Sequence, residues 1–232
     1  MITIGLIAPL EPLASEYDAV IADCRCRSLS AVTEAADSHA LADVTAAGDL
    51  DRLVPAAKTL STGGADVVVW ACTSGSFFGG LAVAESQLRT IYEATSRPTT
   101  TTSLALLDCL RTLNVNAIGL LSPYPAEVTD RLIAFLREAR VSVVELRSLP
   151  TSGPSVSSQL GAEQLSSEVA AFGEVPIVVV PDTAILGCSL WPTLETEVPV
   201  VFANQWTLWR ALCLAGVAPS HRNLGILDGC ML

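Results

Sequence analysis

The chain has 232 residues, half of them hydrophobic and only 16% charged, which supplies a large core and excludes a disordered segment as its main content. Its formal net charge of −11, from 13 Lys+Arg against 24 Asp+Glu, repels phosphate backbones and anionic lipid, so neither nucleic acid nor a membrane surface is an expected partner. No apolar run reaches the length that a membrane span requires.

The first element is an apolar run, Ile2 to Pro9, with no basic segment before it and Glu11, Pro12 and Glu16 directly after. It reads as a buried parallel strand ending in a turn, not as a signal peptide, and a cytoplasmic protein is expected. Ala65 to Ser76 (ADVVVWACTSGS) is a second β-branched run that breaks into small polar residues, followed by a helical pattern over Leu81 to Ala94. Pro98 opens a third strand, with Ser103 expected as N-cap of the helix that follows. Ala117 to Pro123 repeats the first strand, with Gly119 matching Gly5. Ala126 to Arg140 is an amphipathic helix with Val128, Leu132, Phe135 and Leu136 on one face. Val175 to Leu186 repeats the second strand, and Pro199 with Asn204 repeats the third strand and its cap.

Three landmark pairs in one order, too far apart for a solenoid, read as a duplicated half. Alternating strands and helices imply parallel sheets covered on both faces. The expected fold is α/β, with two similar Rossmann-like lobes related by a pseudo-twofold axis and a site in the cleft between them. The lobes are expected at residues 1–103 plus 205–232 and at 104–204. Ligands in such sheets bind beyond the carboxyl ends of strands, so Cys72 and Asp182 are expected to face each other.

Cys72 heads Cys72-Thr73-Ser74-Gly75-Ser76 at a strand end and a helix start. Helix-terminal amides favour a thiolate, so its pKa is expected to be lowered; the alternative is a buried core cysteine. Asp182 is either a general acid or base or a helix N-cap. Cys188 is a rival partner for Cys72, whereas Cys109 and Cys213 are expected to face the core. Trp206 and Trp209 are read as packing residues. Seven cysteines show no disulfide pattern, and with only His39 and His221 neither a metal site nor a histidine-based triad is expected. No nucleotide-binding fingerprint occurs, and no cofactor is expected.

The segments ITIGLIAP, WACTSGSFFGG, SPYPAEVTDRLIAFLREARVSVVELRS and PVVFANQWTLWRALCLAG resemble the aspartate/glutamate racemase superfamily. Within it they are most similar to the branch of maleate cis–trans isomerases and arylmalonate decarboxylases. The resemblance implies cofactor-free chemistry on a small carboxylate or dicarboxylate. It implies a carboxylate cradle of Thr73, Ser74 and Tyr124, with Pro9, Thr183 and Asn204 as further substrate contacts, and Cys72 as nucleophile or base. Two departures stand out. Asp182 occupies the place of the second family cysteine, as in the ectoine-utilisation A-type proteins, and the loop from Pro9 to Pro12 lacks the asparagine of maleate isomerases. An isomerase or racemase is therefore expected, with a malonate-type decarboxylase and an inactive carboxylate-binding protein as alternatives. A homodimer or larger assembly is expected from the low charge content and the apolar helical faces.

Overall fold

The computed structural model describes the backbone of the whole chain and the side chains of all residues except 11–15. In chain order the first half carries β1 (Thr3–Ala8), α1 (Glu11–Asp23), β2 (Arg27–Val32), α2 (Leu41–Ala47), α3 (Leu50–Thr62), β3 (Val67–Trp70), α4 (Thr73–Phe77), α5 (Leu81–Thr95), β4 (Thr99–Thr101) and α6 (Thr102–Thr112). The second half carries β5 (Ala117–Ser122), α7 (Ala126–Glu138), β6 (Ser142–Ser148), α8 (Pro154–Ser157), α9 (Ala162–Ala170), β7 (Val178–Val180), α10 (Gly187–Leu190), β8 (Val200–Phe202) and α11 (Ala203–Leu214).

Two four-stranded parallel sheets result, ordered β2-β1-β3-β4 and β6-β5-β7-β8. The inner strands are mainly apolar because helices cover both faces: β1 and β3 are buried along their whole length. The edge strand β6 instead alternates exposed and half-buried positions, as its one-sided packing requires.

The strand register carries the duplication. Gly5 pairs with Val68 in the first sheet and Gly119 with Val178 in the second. Val68 then pairs with Thr99, and Val178 with Val200. Cys72 therefore follows Val68 by the same number of residues as Asp182 follows Val178, and the expected matching of these two positions is the one that the sheets make. The two glycines share a cause. A Cβ at Gly5 would stand 2.9 Å from Ala65 Cβ, and one at Gly119 would stand 2.8 Å from Phe172 Cδ1, so both central strands stay bare where the covering layer comes closest.

The expected caps are displaced. α6 is capped by Thr101, whose side chain accepts from Leu104 N at 3.2 Å, and Ser103 lies inside the helix. At α11 the Gln205 side chain reaches back to accept from Phe202 N at 3.0 Å, and Asn204 lies inside the helix. Both strands run straight into their helices, so the last strand residue takes the cap position. The freed Ser103 hydroxyl turns inward and donates to Thr73 O at 3.0 Å. α11 packs against α6, and Trp206 Nε1 donates to Thr102 O at 2.9 Å. Trp206 and Trp209 are fully buried, Cys109 is buried, and Cys213 is half-buried and packs against the core, as expected for it. All seven cysteines are free. No helix among the described residues is long and apolar enough to cross a membrane.

Candidate active site

The loops beyond β3 and β7 meet the segment between β2 and α2. Residues 33–40 leave the first lobe and are tied to the second. His39 N donates to Ser152 O at 2.9 Å, and Asp37 Oδ1 accepts from Ser155 N at 2.8 Å. The fit is close, because a Cβ on Gly153 would fall 2.6 Å from Asp37 O. Beneath this strap lies a cavity of about 30 Å³ whose walls include Pro9, His39, Cys72, Thr73, Ser74, Asp182 and Thr183. Six of the eight residues expected from the sequence thus share one cavity. Tyr124 and Asn204 are not in its lining: Tyr124 donates its hydroxyl to Pro181 O, and Asn204 Nδ2 donates to Ile185 O at 3.1 Å.

Cys72 immediately precedes α4 and is 5% exposed. Its setting corrects the expectation of a lowered pKa. Burial pushes the thiol up to about 11, against which the amides of Gly75 and Ser74 and the Ser74 hydroxyl act only in part. The nearby Asp182 carboxylate pushes in the same direction as burial. α4 is a single short turn, and its few amides offset less than desolvation costs a buried thiolate. A pKa raised to about 11 keeps Cys72 in its thiol form near neutral pH. The loop beneath is rigid: Ser76 Oγ bonds Cys72 O at 2.6 Å and Ser103 Oγ at 2.5 Å.

Asp182 is 4% exposed and is not a helix N-cap, because α10 begins only at Gly187, after Leu186. Its Oδ1 accepts from Ala184 N at 2.9 Å, which folds the loop, while Oδ2 is left without a hydrogen bond. Thr73 Oγ1 is also buried and without a partner. Two orphaned polar atoms in one cavity wall are what a polar ligand would satisfy.

Sequence reasoning missed His39. It is 2% exposed and stands 3.6 Å through Nε2 from Asp182 Oδ2. Its Nδ1 faces Thr151 O at 3.3 Å and Thr151 Oγ1 at 3.1 Å, and its ring meets that of Tyr124 edge-on at 4.9 Å. The segment carrying it, EAADSHA, has no motif; the partners come from the other lobe. Cys188 is absent from the cavity lining. Its amide donates to buried Glu16 Oε1 at 2.7 Å and Ser189 Oγ donates to Glu16 Oε2 at 2.8 Å, so this carboxylate anchors α10. Burial and Glu16 hold the Cys188 thiol well above its ordinary pKa. Among the described residues no group of three or more His, Cys, Asp and Glu is arranged to hold a metal ion.

The profile of the arylmalonate decarboxylase family matches residues 29–227. The chain belongs to the arylmalonate decarboxylase family. It is 33% identical over 176 residues, 72% of each chain, to the arylmalonate decarboxylase of Bordetella bronchiseptica. A solved arylmalonate decarboxylase mutant in the liganded form, with one glycine replaced by cysteine and one cysteine by serine, superposes with a TM-score of 0.87. It is 28% identical and covers 98% of this chain and 99% of its own. The maleate isomerase Iso of Pseudomonas putida S16 shares the fold at a TM-score of 0.88, with 18% identity over 98% of both chains. The arylmalonate decarboxylase family and the maleate isomerases thus have one two-lobed architecture, and this chain has it too.

Proposed function

We propose that the protein is a cofactor-independent isomerase or racemase that moves a proton at the carbon next to the carboxylate of a small acid. The observation that carries this reading is that Cys72 and Asp182, from matched strand ends of the two lobes, line one cavity. The substrate carboxylate would sit against the Thr73 and Ser74 hydroxyls, where Thr73 Oγ1 has no other partner. Asp182 would take the α-proton: the C–H bond breaks, an O–H bond forms, and the electron pair moves into the carboxylate as an enediolate. Hydroxyl donors placed around that group favour the developing charge. The Cys72 thiol would then deliver its proton to the other face, leaving a thiolate near the Ser74 and Gly75 amides. A thiol protonated at rest suits this role.

A second reading is decarboxylation, favoured by the 33% identity to an arylmalonate decarboxylase. There the bond to a carboxyl group breaks, carbon dioxide leaves, and Cys72 protonates the same enediolate. Incubating the protein in deuterium oxide with a panel of small 2-substituted carboxylates, dicarboxylates and malonates separates the two. Deuterium at the α-carbon without carbon dioxide release is expected. Release of carbon dioxide selects the decarboxylase, and neither event on any acid that binds tightly leaves a binding protein.

A further inference from the structure

α5 buries Ala84, Gln87, Ile91 and Thr95 at the three- and four-residue spacing of a core-facing stripe. Gln87 is the one long polar side chain in that stripe and is 3% exposed. A buried amide costs stability unless its polar atoms find partners. Here Nε2 donates to Gly48 O at 2.9 Å and to Gly75 O at 3.0 Å. Both partners are carbonyls, which can only accept, so they fix which end of the amide is the nitrogen. Oε1 is buried without a hydrogen bond. The side chain thus ties the end of α2 to α4 and leaves its own acceptor bare in doing so. Both helices border the candidate site: α2 contributes Asp43, Val44 and Ala47 to the cavity walls, and α4 contributes Thr73 and Ser74 beside Cys72.

α4 has five residues, so Gly75 O is among the carbonyls that its own helix leaves open, and Gln87 supplies the donor. Gly75 is also the residue pressed against the sulfur. A Cβ there would stand 3.3 Å from Cys72 Sγ, 3.0 Å from Trp70 Cζ2 and 3.3 Å from Gly48 N, and one on Gly48 would stand 2.4 Å from Gly75 O. Two bare glycines let α2, α4 and the thiol close together, and Gln87 holds them there. The amides of Gly75 and Ser74 and the Ser74 hydroxyl are the groups that favour a thiolate at Cys72. We propose that Gln87 is a positioning residue for Cys72: by holding Gly75 O it keeps the Gly75 and Ser74 amides aimed at the sulfur when the thiol gives up its proton. Its catalytic consequence rests on Cys72 being the proton donor of the reaction; its effect on the thiol does not. The other ionisable groups around the thiol come from elsewhere. Asp182 after β7, Asp43 of α2 and His39 of the strap share its cavity. Tyr17 of α1 and Tyr124 after β5 lie close enough to feel its charge and are kept neutral by burial. A change at Gln87 removes none of them and withdraws only the donors that hold Gly75 and Gly48.

The test uses the full-length protein labelled with carbon-13 at the cysteine Cβ, whose resonance reports thiol against thiolate; a Cys72→Ser variant assigns the Cys72 signal. At pH 10.5 about a quarter of Cys72 should be thiolate in the wild type. Gln87→Met keeps the length and packing of the side chain and removes both donors, and the thiolate fraction should fall about three- to tenfold. Gly48→Ala leaves Gln87 in place but forces a Cβ against Gly75 O, and should move the fraction in the same direction. An unchanged or larger thiolate fraction in either folded variant overturns the proposal, because a side chain that only packs α5 would not move it. If neither variant folds, the wild type decides. With carbon-13 glutamine, the Gln87 side-chain carbonyl should shift in step with Cys72 ionisation and stay flat in Cys72→Ala; a Gln87 signal that ignores Cys72 overturns the proposal. A reduced thiolate fraction in Gln87→Met, with no α-deuteration of any acid by the wild type, would sink the proton-transfer reading and leave this one standing.

Discussion

The two lobes use one strand order and one register, yet they finish their matched strands with opposite chemistry. After β3 the chain turns directly into α4, and the residue at the turn is a thiol whose proton is held by burial. After β7 it makes a loop on the Asp182 carboxylate before α10 begins, and one carboxylate oxygen is left free toward His39. The first lobe thus presents a buried thiol to the cavity and the second a carboxyl group. A fold repeat therefore fixes where two groups stand but not what they are.

The largest expected effect separates the two sides. Cys72→Ala should lower inversion of the α-carbon by roughly a hundred- to ten-thousandfold, the usual loss for a general acid. It should leave solvent exchange on the Asp182 side measurable. Asp182→Asn keeps the loop, since its amide oxygen still accepts from Ala184 N, and should lower both inversion and exchange by a similar factor. Chiral analysis alongside deuterium content reads both. Equal loss of inversion and exchange in the two variants would break the division of labour.

A smaller effect concerns the resting thiol. With its pKa pushed to about 11, about one Cys72 in a thousand is thiolate at pH 8, so brief iodoacetamide treatment should label half-buried Cys24, Cys213 and Cys230 first. The folded state holds this proton more tightly than the unfolded chain. The associated stability is therefore complete below about pH 9 and falls by about 2–3 kcal/mol as pH rises to about 11. Urea melts at both ends of that window should show a shallower decline in Cys72→Ala. A parallel decline would mean that the thiol is more hydrated than its burial implies.

The smallest effect lies at the paired helix starts. Thr101→Ala removes the side-chain cap of α6 and should cost about 1 kcal/mol, whereas Ser103→Ala acts through the loop beneath Cys72 instead. Gln205→Ala should destabilise α11 by a similar amount through the freed Phe202 N–H. Thermal melts of the three variants would compare the lobes at this level.

Much of the architecture was legible because buried parallel strands write themselves as short β-branched runs, and the pairs Gly5/Gly119 and Pro98/Pro199 set their order. The caps slipped by two residues because the threonine run from 99 to 102 offers several hydroxyls, and only the sharp strand-to-helix junction selects Thr101. The thiol's pKa was misjudged because a helix start is visible in Cys72-Thr73-Ser74-Gly75 while its burial is not. His39 could not be found from its neighbours in sequence, because Thr151, Asp182 and Tyr124 all come from the opposite lobe and give it meaning only after the strap has crossed.

The covalent link between the lobes has a genetic consequence. Two separate copies of one half-length gene, meeting across the same axis, would present the same residue from both sides, thiol against thiol or carboxylate against carboxylate. Any substitution would appear twice. Once the halves are encoded in tandem, a codon after the third strand and its counterpart after the seventh can drift apart, and a loop such as the strap can be elaborated on one side alone. The pairing of a thiol with a carboxyl group, and the placing of His39 beside only one of them, is open to a fused chain and closed to a symmetric pair.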